Sequence, residues 1–153
     1  SIGRLANAIA DERNLNNLDT FFTEMESAKE KCRTFIKQAL MEEKHTHIYG
    51  ASTKGSTICQ YFGLDSSMID MAADRSPEKW GLYMAGTGIP IVSEEESRAL
   101  KPDFYLVLPV AFRAEFLERE RRWLEGGGTF IFPLPEPVKV WVDAEGLLKE
   151  APL

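Results

Sequence analysis

The chain has 153 residues, 44% hydrophobic and 27% charged, with 18 basic side chains against 24 acidic ones and a net charge of −6. This size and hydrophobicity suit one packed domain, or one domain with an appendage, and argue against disorder. With no Lys/Arg-rich stripe, the acidic balance argues against nucleic acid as the main ligand, although a local loop can still hold a small anion.

Cys32 and Cys59 are too few for a disulfide framework and read as small buried hydrophobes in a reducing compartment. The longest nearly apolar stretch, 104–112, is broken by Pro109 and too short to span a bilayer. No signal peptide is apparent at the start, so a cytoplasmic protein without membrane contact is expected. The chain opens on Ser1 rather than Met, which reads as a processing boundary of a longer native protein.

Residues 1–17 are polar, with Asn14, Asn16 and Asn17, and read as a linker or lead-in. From Leu18 the apolar residues Phe21, Phe22, Met25, Ala28, Cys32, Phe35, Ile36, Ala39 and Leu40 recur at helical spacing. The pattern predicts a connector helix over 18–44, capped by Asn16 or Asn17. Residues 45–153 then alternate strand and helix. Strands are expected at 47–49, 68–73, 104–108, 129–132 and 138–142, the last turning into a hairpin through Glu145 and Gly146. Helices are expected at 56–62, stopped by Gly63, at the Ser93–Glu96 capping box, and from Phe112 to the Gly126-Gly127-Gly128 run. Residues 75–90 read as irregular. The fold class is α/β: a Rossmann-like, open, mainly parallel sheet with helices on both faces, preceded by a long N-terminal helix.

In such sheets ligands collect at the carboxyl ends of the strands, here 50–57, 74–80, 109–113 and 133–136. The first segment follows a strand and opens a helix, so backbone N–H groups and the helix dipole face into it. Ser52, Thr53, Ser56 and Thr57 add hydroxyls, and Lys54 adds a positive charge. It is not a Walker loop, because Lys54 precedes Gly55, and Ser52 stands where a dinucleotide fingerprint needs Gly. A phosphate cradle and a ligand-free capped turn both remain open. Asp74, 24 residues after Gly50, suits either a ribose hydroxyl or a turn cap. His45 and His47 share a strand face but have no third ligand, so no metal site is expected. The Arg119, Arg121 and Arg122 cluster, interleaved with Glu118 and Glu120, reads as a solvated helix face. No nucleophile elbow or acid/base pair stands out.

Several motifs together carry a resemblance. They are 49–57 (Tyr-Gly-Ala-Ser-Thr-Lys-Gly-Ser-Thr), 74–81 (Asp-Arg-Ser-Pro-Glu-Lys-Trp-Gly) with 86–91, Lys101-Pro102-Asp103 with 106–109, and 127–135. In order and spacing, from about Leu18 to Glu136, the chain resembles the C-terminal domain of S-adenosylmethionine-dependent sugar C-methyltransferases. The resemblance implies an enzyme with a zinc-binding N-terminal domain, a central methyl-donor domain and this Rossmann-like C-terminal domain. It also implies methylation of a carbon beside a keto group in a nucleotide-linked deoxysugar, by deprotonation and attack of the enolate on the methyl sulfonium. S-adenosylmethionine and the catalytic residues would then belong to the preceding domain of the same polypeptide, with no cofactor and no catalytic residue in this fragment. What it implies here is one wall of the substrate cleft, facing a nucleotide diphosphate, built from Ser52, Lys54, Gly55, Ser56, Thr57, Asp74 and Arg75. Ser56 departs from the Asn expected in much of the family. A non-catalytic nucleotide-binding module and an interaction domain remain the alternatives, and the sugar, the base and the oligomeric state are not read from the sequence.

Overall fold

Phe104–Val107 is apolar on both faces, as a central parallel strand must be when helices cover the sheet from above and below. In the computed structural model, which describes residues 2–108 and 113–153 (side chains of 2 and 5–16 excepted), this strand lies inside a seven-stranded sheet. The strands are β1 (Thr46–Tyr49), β2 (Ala72–Asp74), β3 (Ile91–Ser93), β4 (Phe104–Val107), β5 (Thr129–Phe132), β6 (Val138–Val142) and β7 (Leu148–Pro152). Their spatial order is β3-β2-β1-β4-β5-β6-β7. The first five run parallel, and β6 and β7 close the edge antiparallel as a hairpin. The expected α/β open sheet is therefore present, and its order reverses between β1 and β4.

The period of two along each strand divides the core. Ile48, Leu106 and Ile131 face helices α1 (Ile2–Met41) and α2 (Thr53–Phe62), packing with Cys32, Ile36 and Phe62. Their strand neighbours Tyr49, Tyr105 and Phe130 face the opposite layer with Leu124, Phe116 and Trp123, from α4 (Arg113–Arg119) and α5 (Arg121–Glu125). Each fully buried side chain of this size contributes about 1.5–3 kcal/mol relative to exposure. Cys32 and Cys59 are free and wholly buried in the first layer, and burial pushes both thiols up to about 12.

Several expectations are corrected. The helix α1 runs unbroken from Ile2, so neither Asn16 nor Asn17 caps it, and it ends at Met41 rather than Lys44. Helix α2 starts at Thr53 rather than Ser56, with Ser52 as its cap. Only the end of the 68–73 run pairs in the sheet. Met68 and Ile69 instead donate their amides to the Asp65 carbonyl in a turn. The stretch read as irregular holds a 3-10 turn at Pro77–Lys79, and the short strand β3, not expected from the sequence, directly follows that stretch. The helix expected from Phe112 onward is two short ones, and the 109–112 part of that segment lies outside the described residues. Two local signals are present as read. Gly63 adopts φ 66° after α2, with Leu64 N–H bonded back to the Cys59 carbonyl, a Schellman stop. Ser93 accepts from the Glu96 amide and opens α3 (Glu94–Ala99).

Candidate functional site at the carboxyl edge of the sheet

The strand order reverses between β1 and β4, and in open α/β sheets ligands bind beyond the carboxyl ends of the strands at such a point. The first turn of α2 lies at this edge, against Leu108 just past β4. A Cβ on Gly55 would lie 2.9 Å from Leu108 Cδ1, at the end of β4, and 3.1 Å from Ser52 Oγ. A side chain at this position would have to push Leu108 Cδ1 aside, so glycine lets the helix start this close to both. Ser52 Oγ accepts from the Gly55 amide at 3.0 Å, which fixes the helix entrance. The amides of Thr53 and Lys54, in the first turn, have no intrahelical acceptor and point with the positive end of the helix dipole. Lys54 is exposed and makes no hydrogen bond or ion pair with any described residue.

The remaining residues singled out from the sequence are differently occupied. Ser56 Oγ donates to the Ser52 carbonyl and Thr57 Oγ1 to the Thr53 carbonyl, both at 3.2 Å. Their hydroxyl protons are turned back into the helix, so neither serves as the open donor expected. Asp74 is a latch: Oδ2 accepts from the Ala51 amide at 2.9 Å and Oδ1 from the Ser76 amide at 2.8 Å. Burial pushes its carboxyl up, but these two hydrogen bonds and Lys79 outweigh burial and leave it below the ordinary Asp value. Arg75 lies beside it, exposed, with Nε 3.1 Å from Glu94 Oε1.

Lys79 and Trp80 were not singled out in the sequence, although both stand in a quoted motif. Lys79 Nζ donates to the Ala51 carbonyl at 3.2 Å and lies 3.7 Å from Asp74 Oδ2. Trp80 Nε1 donates to the Asp74 carbonyl at 2.8 Å. The loops after β1 and β2 are thereby tied into one platform. A Lys five residues after a strand-ending Asp was the available signal.

Elsewhere the chemistry-bearing groups are committed or misplaced. His45 precedes β1 and His47 lies within it, at the amino end of the sheet, away from the α2 entrance. His45 Nδ1 is 2.7 Å from Asp70 Oδ2, and buried His47 bonds Ser97 Oγ at 2.7 Å. Desolvation lowers the His47 pKa, against the opposing pull of Asp70. No group of three or more His, Cys, Asp or Glu could hold a metal ion among the described residues. No helix among them is long and apolar enough to cross a membrane. The solvated face expected at 118–122 is only partly so. Glu120 is buried, paired with Arg98 and Arg119 and accepting from Tyr49 Oη. The short span between α4 and α5 turns it inward.

The family model described as the C-methyltransferase C-terminal domain matches residues 4–135, a span that includes the α2 entrance and the Asp74 latch. The chain belongs to this family. It is also 35% identical over 112 residues to the C-methyltransferase NovU of Streptomyces niveus, an alignment covering 73% of this chain. That alignment spans 27% of the relative's length, so the chain corresponds to a minor part of that C-methyltransferase.

Proposed function

We propose that this chain is the substrate-side domain of an S-adenosylmethionine-dependent C-methyltransferase acting on a nucleotide-linked sugar or similar small molecule. In this reading the methyl donor and the catalytic groups belong to a preceding domain of the same polypeptide, and this domain holds the diphosphate. One observation carries it: the entrance of α2, with the free Lys54, lies at the carboxyl edge of the sheet where the strand order reverses. Two first-turn amides, the Ser52 hydroxyl proton and an unpaired ammonium together complement phosphate oxygens. S-adenosylmethionine carries a sulfonium and no phosphate, so the same groups offer it no such complement. Ser52, Lys54 and Gly55 form the cradle. Ser56 and Thr57 brace its first turn, Asp74 anchors the loop, and Arg75 supplies a second cation at the rim.

The test is titration calorimetry of wild type and Lys54→Ala with a nucleoside diphosphate, the nucleoside and the methyl donor. Loss of Lys54 should weaken diphosphate binding about 5- to 100-fold, the range for a charge-assisted hydrogen bond, and leave the nucleoside unchanged. Tight donor binding that falls on Lys54→Ala would instead make this the donor domain and overturn the reading.

A further inference from the structure

We infer that Trp80 is the stacking platform for a planar heteroaromatic ring, the base of the nucleotide whose diphosphate the α2 entrance holds. This inference rests on the diphosphate reading above and adds to it the element that recognises the base.

The argument starts from how differently the three tryptophans are used. Trp123 stacks on Phe130, with ring centroids 5.2 Å apart and planes 29° from parallel, inside the second core layer. Trp141 has Lys139 Nζ 5.5 Å from its ring centroid. Trp80 makes no ring contact with any described residue, and it is 43% exposed. What sets Trp80 apart is an indole face that is both open to solvent and held in place, which a planar ligand ring can cover.

That ring is not loose. Its backbone amide donates to the Pro77 carbonyl at 3.2 Å, closing the 3-10 turn. The next residue, Gly81, donates to the Ile91 carbonyl at 3.0 Å, which ties the loop to β3. The indole Nε1 is held by the Asp74 carbonyl at 2.8 Å. With backbone and edge both fixed, the ring is pre-oriented, so a ligand that stacks on it loses little additional conformational freedom.

Its position completes the case. Asp74, which holds the indole through its carbonyl, holds the Ala51 amide through its carboxylate, and Ala51 directly precedes the Ser52 cap. Two hydrogen bonds through one residue therefore connect the open indole to the anion-binding turn. A ligand with a planar ring at one end and phosphates at the other matches this pairing. The ring takes no hydrogen-bond readout from the indole, so Trp80 supplies affinity for a base rather than choice among bases.

Calorimetry of wild type, Trp80→Phe and Trp80→Leu with uridine diphosphate, adenosine diphosphate and inorganic pyrophosphate tests this. Trp80→Leu keeps an apolar side chain but removes the π face. It should weaken both nucleoside diphosphates about 5- to 100-fold, the span for one base–aromatic stack, and leave pyrophosphate unchanged. Trp80→Phe should retain most of the nucleotide affinity while the fluorescence quench that uridine diphosphate produces in wild type disappears. If wild type binds pyrophosphate and Trp80→Leu binds the nucleotides as tightly as wild type, the platform is refuted and the diphosphate site stands. Equal weakening of pyrophosphate and nucleotide would assign Trp80 to loop support and also refute it. If wild type binds neither pyrophosphate nor nucleotide, both readings fail together.

Discussion

Asp74 accepts from the Ala51 and Ser76 amides and faces the Lys79 ammonium, so one carboxylate joins two loops that would otherwise be independent. Asp74→Asn keeps one good acceptor and puts an amide donor against a backbone N–H. Its expected cost is about 1–3 kcal/mol, the usual penalty for a nearly buried donor left without its acceptor. Because the folded-state pKa lies below the unfolded value, the charge contributes fully above that value and is lost as pH falls through the folded one. Urea unfolding should therefore separate wild type from Asp74→Asn at pH 7 and at pH 5. The gap should begin to close as pH falls below about 4, closing fully only below the folded-state value. A constant gap across that range would show that the carboxylate charge is not what holds the loops. The same residue marks the limit of sequence reading. An acid at a strand end is visible, but whether it meets a ribose or its own backbone depends on where Ala51 and Ser76 come to rest. Likewise Ser56 and Thr57 are recognisable as hydroxyls near a helix start, whereas their inward hydrogen bonds follow from the helix beginning at Thr53 rather than Ser56.

Helix α1 is longer than the sheet it covers. Its 40 residues extend about 60 Å at 1.5 Å per residue, roughly twice the width of a small domain. Ala28, Cys32, Ile36 and Ala39 are buried on the sheet, whereas Leu18, Phe21 and Phe22 are 49, 52 and 58% exposed. The apolar stripe is continuous in sequence, but only its C-terminal half has a sheet beneath it. Helices without tertiary contacts are marginal in water, so stability should fall along α1 toward its N-terminus. Amide hydrogen exchange should show fast exchange over 18–24 and slow exchange over 28–40 and the β4 strand. Protection at 18–24 equal to that of β4 would mean this half is covered in solution. Periodicity located the stripe and its faces but could not show where the partner surface ends. The same limit hid β3, a three-residue strand directly after a Gly- and Pro-containing stretch, and made buried Met68 and Ile69 look like strand when Asp65 folds them into a turn. Strong local signals fared better: the Gly63 stop and the Ser93 cap depend only on neighbours a few residues away.

At the scale of the whole molecule, the two histidines and the anion-holding turn lie at opposite ends of the sheet. His45 and His47 stand at the amino end of β1, and His47 is closed into a buried chain with Ser97 and Tyr105, the Ser97–Tyr105 contact being 2.6 Å. At the carboxyl end, both Asp74 oxygens are occupied by backbone amides, so this carboxylate is not placed as a free base. Carbon methylation beside a ketone needs a base at the acidic C–H and a methyl sulfonium in line with the resulting enolate. The described groups around the α2 entrance are suited to holding an anion, and Asp74 beside them is not free to take a proton. The chain incubated alone with radiolabelled methyl donor and nucleotide-linked keto sugars should therefore give no methylated product above the buffer rate. Binding of the nucleoside diphosphate under the same conditions should persist, which separates a bound but unreactive substrate from an absent one. Methyl transfer by these 153 residues would place the donor site and the base within this chain, and the division of labour between domains would have to be redrawn.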